Sequence, residues 1–332
     1  MSNIEWTDVV WNPTTGCDRV SPGCDNCYAL TMAKRLKGMG SAKYQIDGDP
    51  RTSGPGFGLT MHPSVVTVPL SWRAPQRVFV NSMSDLFHAE VSADFTARVF
   101  AVMALAGRHT FQVLTKRAKR MELVLTRPGF VDQVARHVED ILGHSGRRPR
   151  WAFDLGGRRL AGDSGQLGQG WSRSPERAWV PPWPMPNVWL GVSVENQREA
   201  DRRIPHLERT PAAVRWLSCE PLLSPVDLKP WLGTRPIAGK CFDIDGQSWH
   251  DGCQDCRPAL HWVVVGGESG SSRPMDPDWA RALRDQCAAA EVPFFFKQAG
   301  QVLARQWGCR DPKGHDPADW PEPFPRAYPD AA

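Results

Sequence analysis

Short runs of β-branched and aromatic residues recur along the chain, and turn-forming residues bound each run. The most continuous runs are apolar without alternation, which is typical of parallel strands covered on both faces. Segments with helical periodicity follow most of them. The predicted strands are Asp8–Trp11, Arg77–Asn81, Thr110–Leu114, Val188–Val192, Val214–Leu217, His261–Val265 and Pro293–Phe296. The predicted helices are Cys27–Lys37, Ala93–Ala106, Arg117–Leu125, Phe130–Leu142, Asn196–Glu208 and Asp278–Ala290.

The alternation of strands and helices predicts an α/β fold, either a β/α barrel or a doubly wound sheet. Ser92 is placed to cap the second helix, and Pro277 suits the first turn of the last one. A chain of 332 residues with 41% hydrophobic residues is long and apolar enough to bury a sizeable core.

Nearly every predicted strand ends in a polar segment, and in β/α folds ligands bind at the carboxyl ends of the strands. A single polar strand end is usually a helix cap, whereas six in succession favour one shared site. The six polar strand ends are Asn81–Asp85, Thr115–Lys116, Ser193–Glu195, Ser218–Glu220, Gly266–Gly270 and Lys297–Gln298.

Two insertions interrupt the alternation of strands and helices, and the chain ends in a segment that follows neither pattern. Residues 143–187 are rich in Gly, Arg, Trp and Pro; a loop of this length is either a functional lid or a disordered segment, and its tryptophans favour a folded flap. Residues 230–258 form a second insertion that contains cysteines. We therefore expect one barrel over residues 1–300 and a C-terminal tail over residues 301–332, loosely packed after Gly308.

The composition points to an intracellular protein. The longest apolar run, Val99–Ala106, is too short to cross a bilayer, and the amino terminus lacks a secretory signal pattern, so a cytoplasmic location is expected. The net charge is +4, and 31 of the 40 basic residues are Arg. Arginine suits nucleic acid or a phosphorylated substrate, although a GC-rich genome would produce the same bias.

The segment Asn12–Tyr28 contains three of the nine cysteines, in the spacing C-x6-C-x2-C. Cys17, Cys24 and Cys27 lie between the first predicted strand and the first predicted helix. Three thiolates suit either a zinc ion with a fourth ligand or three irons of a [4Fe–4S] cluster, and the spacing alone does not choose. The position at a strand end, level with other polar strand ends, favours the cluster.

Several strings extend this pattern over most of the chain and resemble a phage-associated three-cysteine family within the radical S-adenosylmethionine superfamily. That resemblance implies a partial (β/α) barrel of about six to seven parallel strands and a phage or prophage origin. The strings are Trp11-Asn-Pro-Thr-Thr-Gly-Cys17, Phe79-Val-Asn-Ser-Met-Ser-Asp-Leu-Phe-His88, Leu114-Thr-Lys-Arg117, Leu217-Ser-Cys-Glu-Pro-Leu222 and Val264-Val-Gly-Gly-Glu-Ser-Gly270.

The resemblance implies a [4Fe–4S] cluster on Cys17, Cys24 and Cys27, with S-adenosylmethionine at the fourth iron. The expected reaction produces a 5′-deoxyadenosyl radical, which abstracts hydrogen from an unidentified substrate. The remaining expected residues are Asn81, Ser82, Ser84 and Asp85 for the methionine amino group, Ser193 and Glu195 for the ribose, Gly266 and Gly267 for close backbone approach, and Glu220 and Glu268 toward substrate or cofactor.

A second cysteine group, Cys241, Cys253 and Cys256 with His250, suits a structural zinc ion that would stabilise the 230–258 insertion. An auxiliary iron–sulfur cluster and unliganded thiols are the alternatives. Cys219, within an apolar run, is predicted to be a core residue.

The expected partners follow from the same reasoning. A nucleotide or nucleic-acid base is the first substrate candidate, because the 143–187 flap combines tryptophans with arginines. An electron donor such as flavodoxin or ferredoxin is expected, with a partner protein as a further possibility and no membrane. The alternatives are a zinc-bearing nucleic-acid-binding or adaptor protein without redox chemistry, and a metal-dependent hydrolase using Asp85, Glu220 and Glu268.

Overall fold

The structure, a computed structural model, describes residues 4–143, 171–173, 179–233, 260–270 and 273–329. Its strands are β1 (Val9–Trp11), β2 (Thr14–Thr15), β3 (Thr60–Met61), β4 (Arg77–Val80), β5 (Thr110–Thr115), β6 (Ser172–Arg173), β7 (Trp179–Val180), β8 (Val188–Ser193), β9 (Val214–Cys219), β10 (Trp262–Gly266) and β11 (Phe294–Gln298). Its α-helices are α1 (Tyr28–Gly38), α2 (Ala93–Leu105), α3 (Ala118–Leu125), α4 (Phe130–Gly143), α5 (Gln197–Arg209), α6 (Pro277–Ala289) and α7 (Gln301–Trp307).

Seven strands are hydrogen-bonded in the order β1-β4-β5-β8-β9-β10-β11, and the pairs whose register is resolved are all parallel. This confirms the predicted α/β class and the expected six to seven parallel strands. Every residue of β8 and of β10 is buried, as their continuous apolar sequences predict. Among the described helices, none has both the length and the hydropathy needed to cross a bilayer.

The chain forms two compact units. The first consists mainly of Met1–Val192 with Arg209–Ala213, and the second of Ser193–Glu208 with Val214–Ala331.

The first unit packs α2 against α4 beside its strands. Ser92 caps α2 as predicted, because its side chain accepts a hydrogen bond from the Phe95 N–H. Trp183 lies against the rings of Phe100 and Phe130, at centroid distances of 5.8 and 5.7 Å. The sequence groups Trp183 with the flap tryptophans expected to contact nucleic acid, whereas its ring packs against the α2 and α4 aromatics.

The second unit carries α6 beside β10 and β11. Helix α6 begins at Pro277, and Asp276 caps it by accepting a hydrogen bond from the Asp278 N–H. Cys219 is fully buried in β9, which confirms its predicted place in the core.

The expectation of a loosely packed tail after Gly308 is wrong for the residues up to 329. The Phe324 ring stacks on Phe296 of β11 at a centroid distance of 4.3 Å, and Trp320 meets the same ring edge-on at 4.8 Å. The backbone also pairs with β11, since the Phe296 N–H donates to Pro325 O and the Ala327 N–H donates to Phe294 O. Proline content misled the prediction, because the buried aromatic side chains between the prolines hold the segment in place.

The second cysteine group lies outside the described residues. Cys241, His250, Cys253 and Cys256, together with most of the 230–258 insertion and most of the 143–187 flap, belong to the residues that the structure leaves undescribed. Their predicted zinc site stays a prediction.

Replacing Phe324 by alanine tests the packing of the tail. We expect Phe324→Ala to lower the free energy of unfolding by about 3–5 kcal/mol, the usual cost of truncating a buried aromatic side chain. Leu123→Ala is the control, because Leu123 is 61% exposed and its truncation should cost less than about 0.5 kcal/mol. Urea unfolding followed by tryptophan fluorescence measures both, and equal effects would contradict the packing of the tail.

Candidate functional site

The cysteine loop follows β1 and is held against the strand end after β4. Thr14 and Thr15 form β2, which pairs with β3 just before the first cysteine. The Ser84 hydroxyl donates to Gly16 O at 2.7 Å, and the Thr14 hydroxyl donates to Ser84 Oγ at 2.8 Å. Ser84, predicted as a cofactor ligand, thus fastens the start of the cysteine loop to the end of β4.

Gly16 is required where this loop passes a neighbouring backbone segment. It has a φ of 88°, in the left-handed region that favours glycine, and a Cβ at this position would lie 2.2 Å from Gly58 O. The next residue, Cys17, donates its backbone N–H to Phe57 O. The segment around Phe57 therefore sets the path of the chain into the cysteines.

The three thiols lie partly buried beside a small apolar cluster. Cys17 and Cys27 pack against the buried residues of this cluster, and the backbone N–H of Cys27 donates to Cys24 O at 3.3 Å. The apolar cluster consists of Ala29, Ala33, Tyr44, Phe57 and Met83.

Burial raises the pKa of Cys17 to about 12, and the negative charge of Asp85 acts in the same direction, while Arg117 opposes both. Burial likewise raises the pKa of Cys27, against the N–H groups at the start of α1 and the charge of Lys116. The charge of Cys24 raises the pKa of Cys17 and that of Cys27, which places Cys24 within electrostatic reach of both.

Arg117 connects the first cysteine to a buried carboxylate. One guanidinium nitrogen, Nη1, donates to Cys17 Sγ and to Asp85 Oδ2, both at 3.2 Å. The other, Nη2, donates to Asp18 O at 3.2 Å. Arg117 therefore presents a fixed positive charge to the sulfur of Cys17.

Asp85 is predicted to bind the amino group of the cofactor, and the structure uses its carboxylate inside the protein. Besides Arg117, it accepts hydrogen bonds from the Thr115 hydroxyl and from the backbone N–H groups of Lys116 and Phe87. Its side chain is only 7% exposed. Asp85 is thus the anchor that holds the end of β5 and the Arg117 guanidinium in place.

Sequence reasoning assigned no role to Arg117. The sequence shows that Arg117 directly follows the polar strand end Thr115–Lys116. It does not show the contact with Cys17, because the two residues are 100 positions apart. Asp18 and His88 were missed in the same way.

Asp18, next to the first cysteine, forms a second attachment. Its Oδ2 lies 2.9 Å from His88 Nε2, and its Oδ1 accepts a hydrogen bond from the Thr52 hydroxyl at 2.6 Å. His88 Nδ1 accepts from the Glu90 N–H, so Nε2 carries the proton that is donated to Asp18. Burial favours a higher pKa for Asp18, but the bonds from Thr52 and His88 prevail and lower it.

Asn81 combines backbone strain with an unpaired donor. Its φ is 64°, an uncommon value for a residue other than glycine, and its Oδ1 accepts from the Thr14 N–H at 3.3 Å. Its Nδ2 is buried and has no hydrogen-bond partner in the part of the chain that the structure describes. The neighbouring Ser82 accepts the Tyr28 hydroxyl on its backbone oxygen at 2.5 Å, and its own hydroxyl lies 3.4 Å from Asn12 Oδ1.

In the second unit, two predicted glutamates each form an ion pair. Lys297 Nζ lies 2.7 and 3.0 Å from the two carboxylate oxygens of Glu220. Glu268 receives the Arg273 guanidinium at 2.6 and 3.2 Å as well as the Arg273 backbone N–H at 2.9 Å. These pairs occupy the carboxylates that a metal-dependent hydrolase would need.

The predicted glycine pair serves backbone packing. A Cβ on Gly267 would lie 2.0 Å from Ala299 O, so the chain after β10 passes directly over the chain after β11. Gly266 has ordinary spacing, since a Cβ there would lie 3.4 Å from the Glu220 side chain. Gly267 therefore allows two segments of the protein backbone to approach each other, and not the approach to a cofactor that the sequence predicted.

Ser193 and Glu195, predicted to contact ribose, lie in the interior. Glu195 is completely inaccessible to solvent, and its carboxylate receives Arg203 Nη1 at 2.9 Å. Arg203 also donates to Ser193 O at 2.8 Å and pairs with Glu199. These residues form a buried ion-pair group, and the structure offers a ligand no access to Glu195.

Comparison with protein families gives one match over most of the chain, to the model described as "Protein of unknown function (DUF5131)", across residues 1–316. The chain belongs to the DUF5131 family. Neither the curated proteins nor the solved structures yielded a match. The resemblance to a phage-associated branch of the radical S-adenosylmethionine superfamily is therefore wrong as an assignment, because DUF5131 is the family that matches and no radical S-adenosylmethionine family does.

The residues of this DUF5131 protein can be tested against the expected metal groups. In the described ranges, no three or more His, Cys, Asp or Glu side chains are arranged to hold one metal ion. A [4Fe–4S] cluster makes a different demand, since each iron takes a single thiolate and the sulfurs need not surround one point. Cys17 and Cys27, each within electrostatic reach of Cys24, give three thiols for that donor set, and the Arg117 guanidinium is fixed on Cys17.

Replacing Gly16 by alanine tests the path of the cysteine loop. We expect Gly16→Ala to destabilise the protein by more than about 1 kcal/mol, because the new Cβ adds a collision to an unfavourable φ. Gly40→Ala is the matched control, since Gly40 also has a positive φ, 75°, with open space around its Cβ position. Thermal unfolding compares the two variants, and equal losses would show that the contact with Gly58 has no effect.

Proposed function

We propose that this protein binds a [4Fe–4S] cluster through Cys17, Cys24 and Cys27 and uses S-adenosylmethionine as a second cofactor for radical chemistry. The observation that carries the proposal is the group of three partly buried thiols in the loop after β1, two of them packed on one apolar cluster, with Arg117 fixed on the sulfur of Cys17. The proposal rests on this site and not on family membership. Three thiolates leave one iron open for the amino acid part of the cofactor.

Metal binding at these cysteines has to be coupled to the loss of thiol protons. Burial keeps Cys17 protonated at neutral pH, since its pKa is about 12, so a metal group must displace the proton when it binds. Arg117 then balances the negative charge of the Cys17 thiolate, while Lys116 and the N-terminus of α1 favour that of Cys27. The apolar cluster behind Cys17 and Cys27 limits the access of water.

Cys17, Cys24 and Cys27 would hold the cluster, which when reduced would supply one electron for cleavage of the carbon–sulfur bond of S-adenosylmethionine into methionine and a 5′-deoxyadenosyl radical. The protein residues position the reactants. Asn81 carries a buried Nδ2 that has no partner among the described residues, and a ligand carboxylate or carbonyl oxygen would satisfy it. Ser82 remains a candidate beside it, whereas Ser84 and Asp85 act by holding the loop and Arg117.

The substrate class in this proposal is a nucleotide or nucleic-acid base, and the electron donor is a flavodoxin or ferredoxin. A cytoplasmic setting with a phage or prophage origin belongs to the same proposal. The alternative is a zinc-bearing nucleic-acid-binding or adaptor protein without redox chemistry, and metal analysis separates the two.

Anaerobic purification tests the cluster. We expect a brown protein with broad absorption near about 400 nm that dithionite bleaches, and 5′-deoxyadenosine should form when S-adenosylmethionine is added under reduction. Cys24→Ala should abolish both, because it removes one thiolate. Cys309→Ala is the control, since Cys309 lies outside the site. A colourless protein that contains only zinc after iron and sulfide reconstitution would refute the proposal.

Arg117→Gln tests the contact with the Cys17 sulfur. Loss of the positive charge should leave a cluster with a more negative midpoint potential, because charge-assisted hydrogen bonds to sulfur favour the reduced state. Arg120→Gln is the control, since within the described ranges the Arg120 side chain donates to the backbone oxygens of His88 and Val91 and not to a cysteine. Redox titration followed by electron paramagnetic resonance measures the potentials, and an unchanged value in Arg117→Gln at equal iron content would contradict the assigned role.

A further inference from the structure

Helix α1 leaves an unusual face in solvent directly beside the cysteine loop. Its buried face is formed by Ala29 and Ala33, while Tyr28, Met32, Arg35 and Met39 follow one another at helical spacing on the exposed side. We call these four residues, together with Lys34, the α1 surface. Met39 is 69% exposed and Met32 is 40% exposed.

Exposed apolar side chains are concentrated here. Eight large apolar side chains are exposed among the described residues, and Tyr28, Met32 and Met39 belong to the α1 surface. Val20, in the cysteine loop, is a fourth. An exposed helical stripe that combines Tyr, Met and Arg has the composition of a protein interface rather than of an ordinary solvated helix.

The charge of this surface has one sign. Helix α1 contains Lys34, Arg35 and Lys37 and no acidic residue. Lys37 is paired with Asp47 at 2.6 Å, whereas neither Lys34 nor Arg35 forms an ion pair with any described residue. A partner that covers the surface must therefore bring carboxylates to it.

The position of the α1 surface relative to the cysteines indicates which kind of partner would bind there. Helix α1 begins immediately after Cys27, so Met32 lies about 8 Å along the helix axis from this ligand. A protein docked on the α1 surface would place its own redox group close to the cysteine site.

We infer that the α1 surface docks an acidic electron-transfer protein that reduces the cysteine site. This inference rests on the proposed function and extends it by naming the surface and the charge of the donor. A second copy of the chain is a poor occupant, because a two-fold contact would bring the unpaired cations of both copies together. Nucleic acid is less well matched, since three of the four residues on the exposed stripe, Tyr28, Met32 and Met39, carry no positive charge.

The test compares two charge-reversed double variants at low ionic strength. Lys34→Glu with Arg35→Glu changes the α1 surface, and Lys229→Glu with Arg305→Glu makes the same change in net charge at exposed positions elsewhere. Reduced bacterial flavodoxin is the electron donor in one series, and dithionite is the donor in the other. The readouts are 5′-deoxyadenosine formation and, without any turnover, the binding of oxidised flavodoxin measured by its flavin fluorescence.

We expect the α1 variant to need at least about tenfold more flavodoxin for half-maximal rate and for half-maximal binding, since like charges then face each other. Its rate with dithionite should equal that of the wild type, and the control variant should behave as the wild type throughout. Added salt should weaken flavodoxin binding to the wild type.

Three outcomes would overturn the inference. If both variants need the same flavodoxin concentration for half-maximal rate and binding, the α1 surface is not the docking site. The proposed function would be unaffected by that result. Loss of single-stranded DNA or RNA binding in the α1 variant, with flavodoxin reduction unchanged, would assign the surface to nucleic acid. Failure of the wild type even with dithionite, after full reconstitution, would refute the proposed function itself and this inference with it.

Discussion

The ion pair between Arg117 and Asp85 is the interaction on which the candidate site depends. Both side chains are largely withdrawn from water, where an isolated charge would be costly, and each satisfies the other. Removing one partner of such a pair typically costs about 3–5 kcal/mol, because the remaining charge is left buried. Through this pair the ends of β4 and β5 and the start of the cysteine loop share one network of hydrogen bonds. The position of Cys17 is thus determined by residues about 70 and 100 positions away in the sequence.

Much of the fold could be predicted from the sequence. Buried parallel strands are continuous apolar runs, so β8 and β10 were recognisable without any partner, and Ser92 and Pro277 mark helix starts by local chemistry alone. The C-terminal segment could not be predicted in the same way. This segment is held in place by contacts of Trp320 and Phe324 with Phe296. Such contacts between residues distant in sequence cannot be inferred from amino-acid composition.

The location of the candidate site could be predicted from the sequence, but the roles of most of its residues could not. Cys17, Cys24 and Cys27 are close in sequence, so their grouping follows from the chain itself. The roles of the polar strand ends depend on which partner each side chain meets, and those partners are distant in sequence. Asp85 and Glu195 illustrate the point, since each looked like a ligand of a small molecule and each is instead paired with an arginine of the protein. Membership of DUF5131 supplies no function that would have separated these possibilities.

The pairing of the C-terminal segment with β11 has a consequence for the behaviour of the chain as a whole. β11 is the last strand of the parallel sheet, and a final strand exposes a row of free N–H and C=O groups that other chains can pair with. Residues 325–327 cover part of that row, and the prolines beside them at 323, 325 and 329 have no N–H to offer a further strand. Backbone pairing by residues 325–327 thereby leaves less of the β11 edge open to strands of other molecules, which lowers the tendency of the sheet to grow into aggregates.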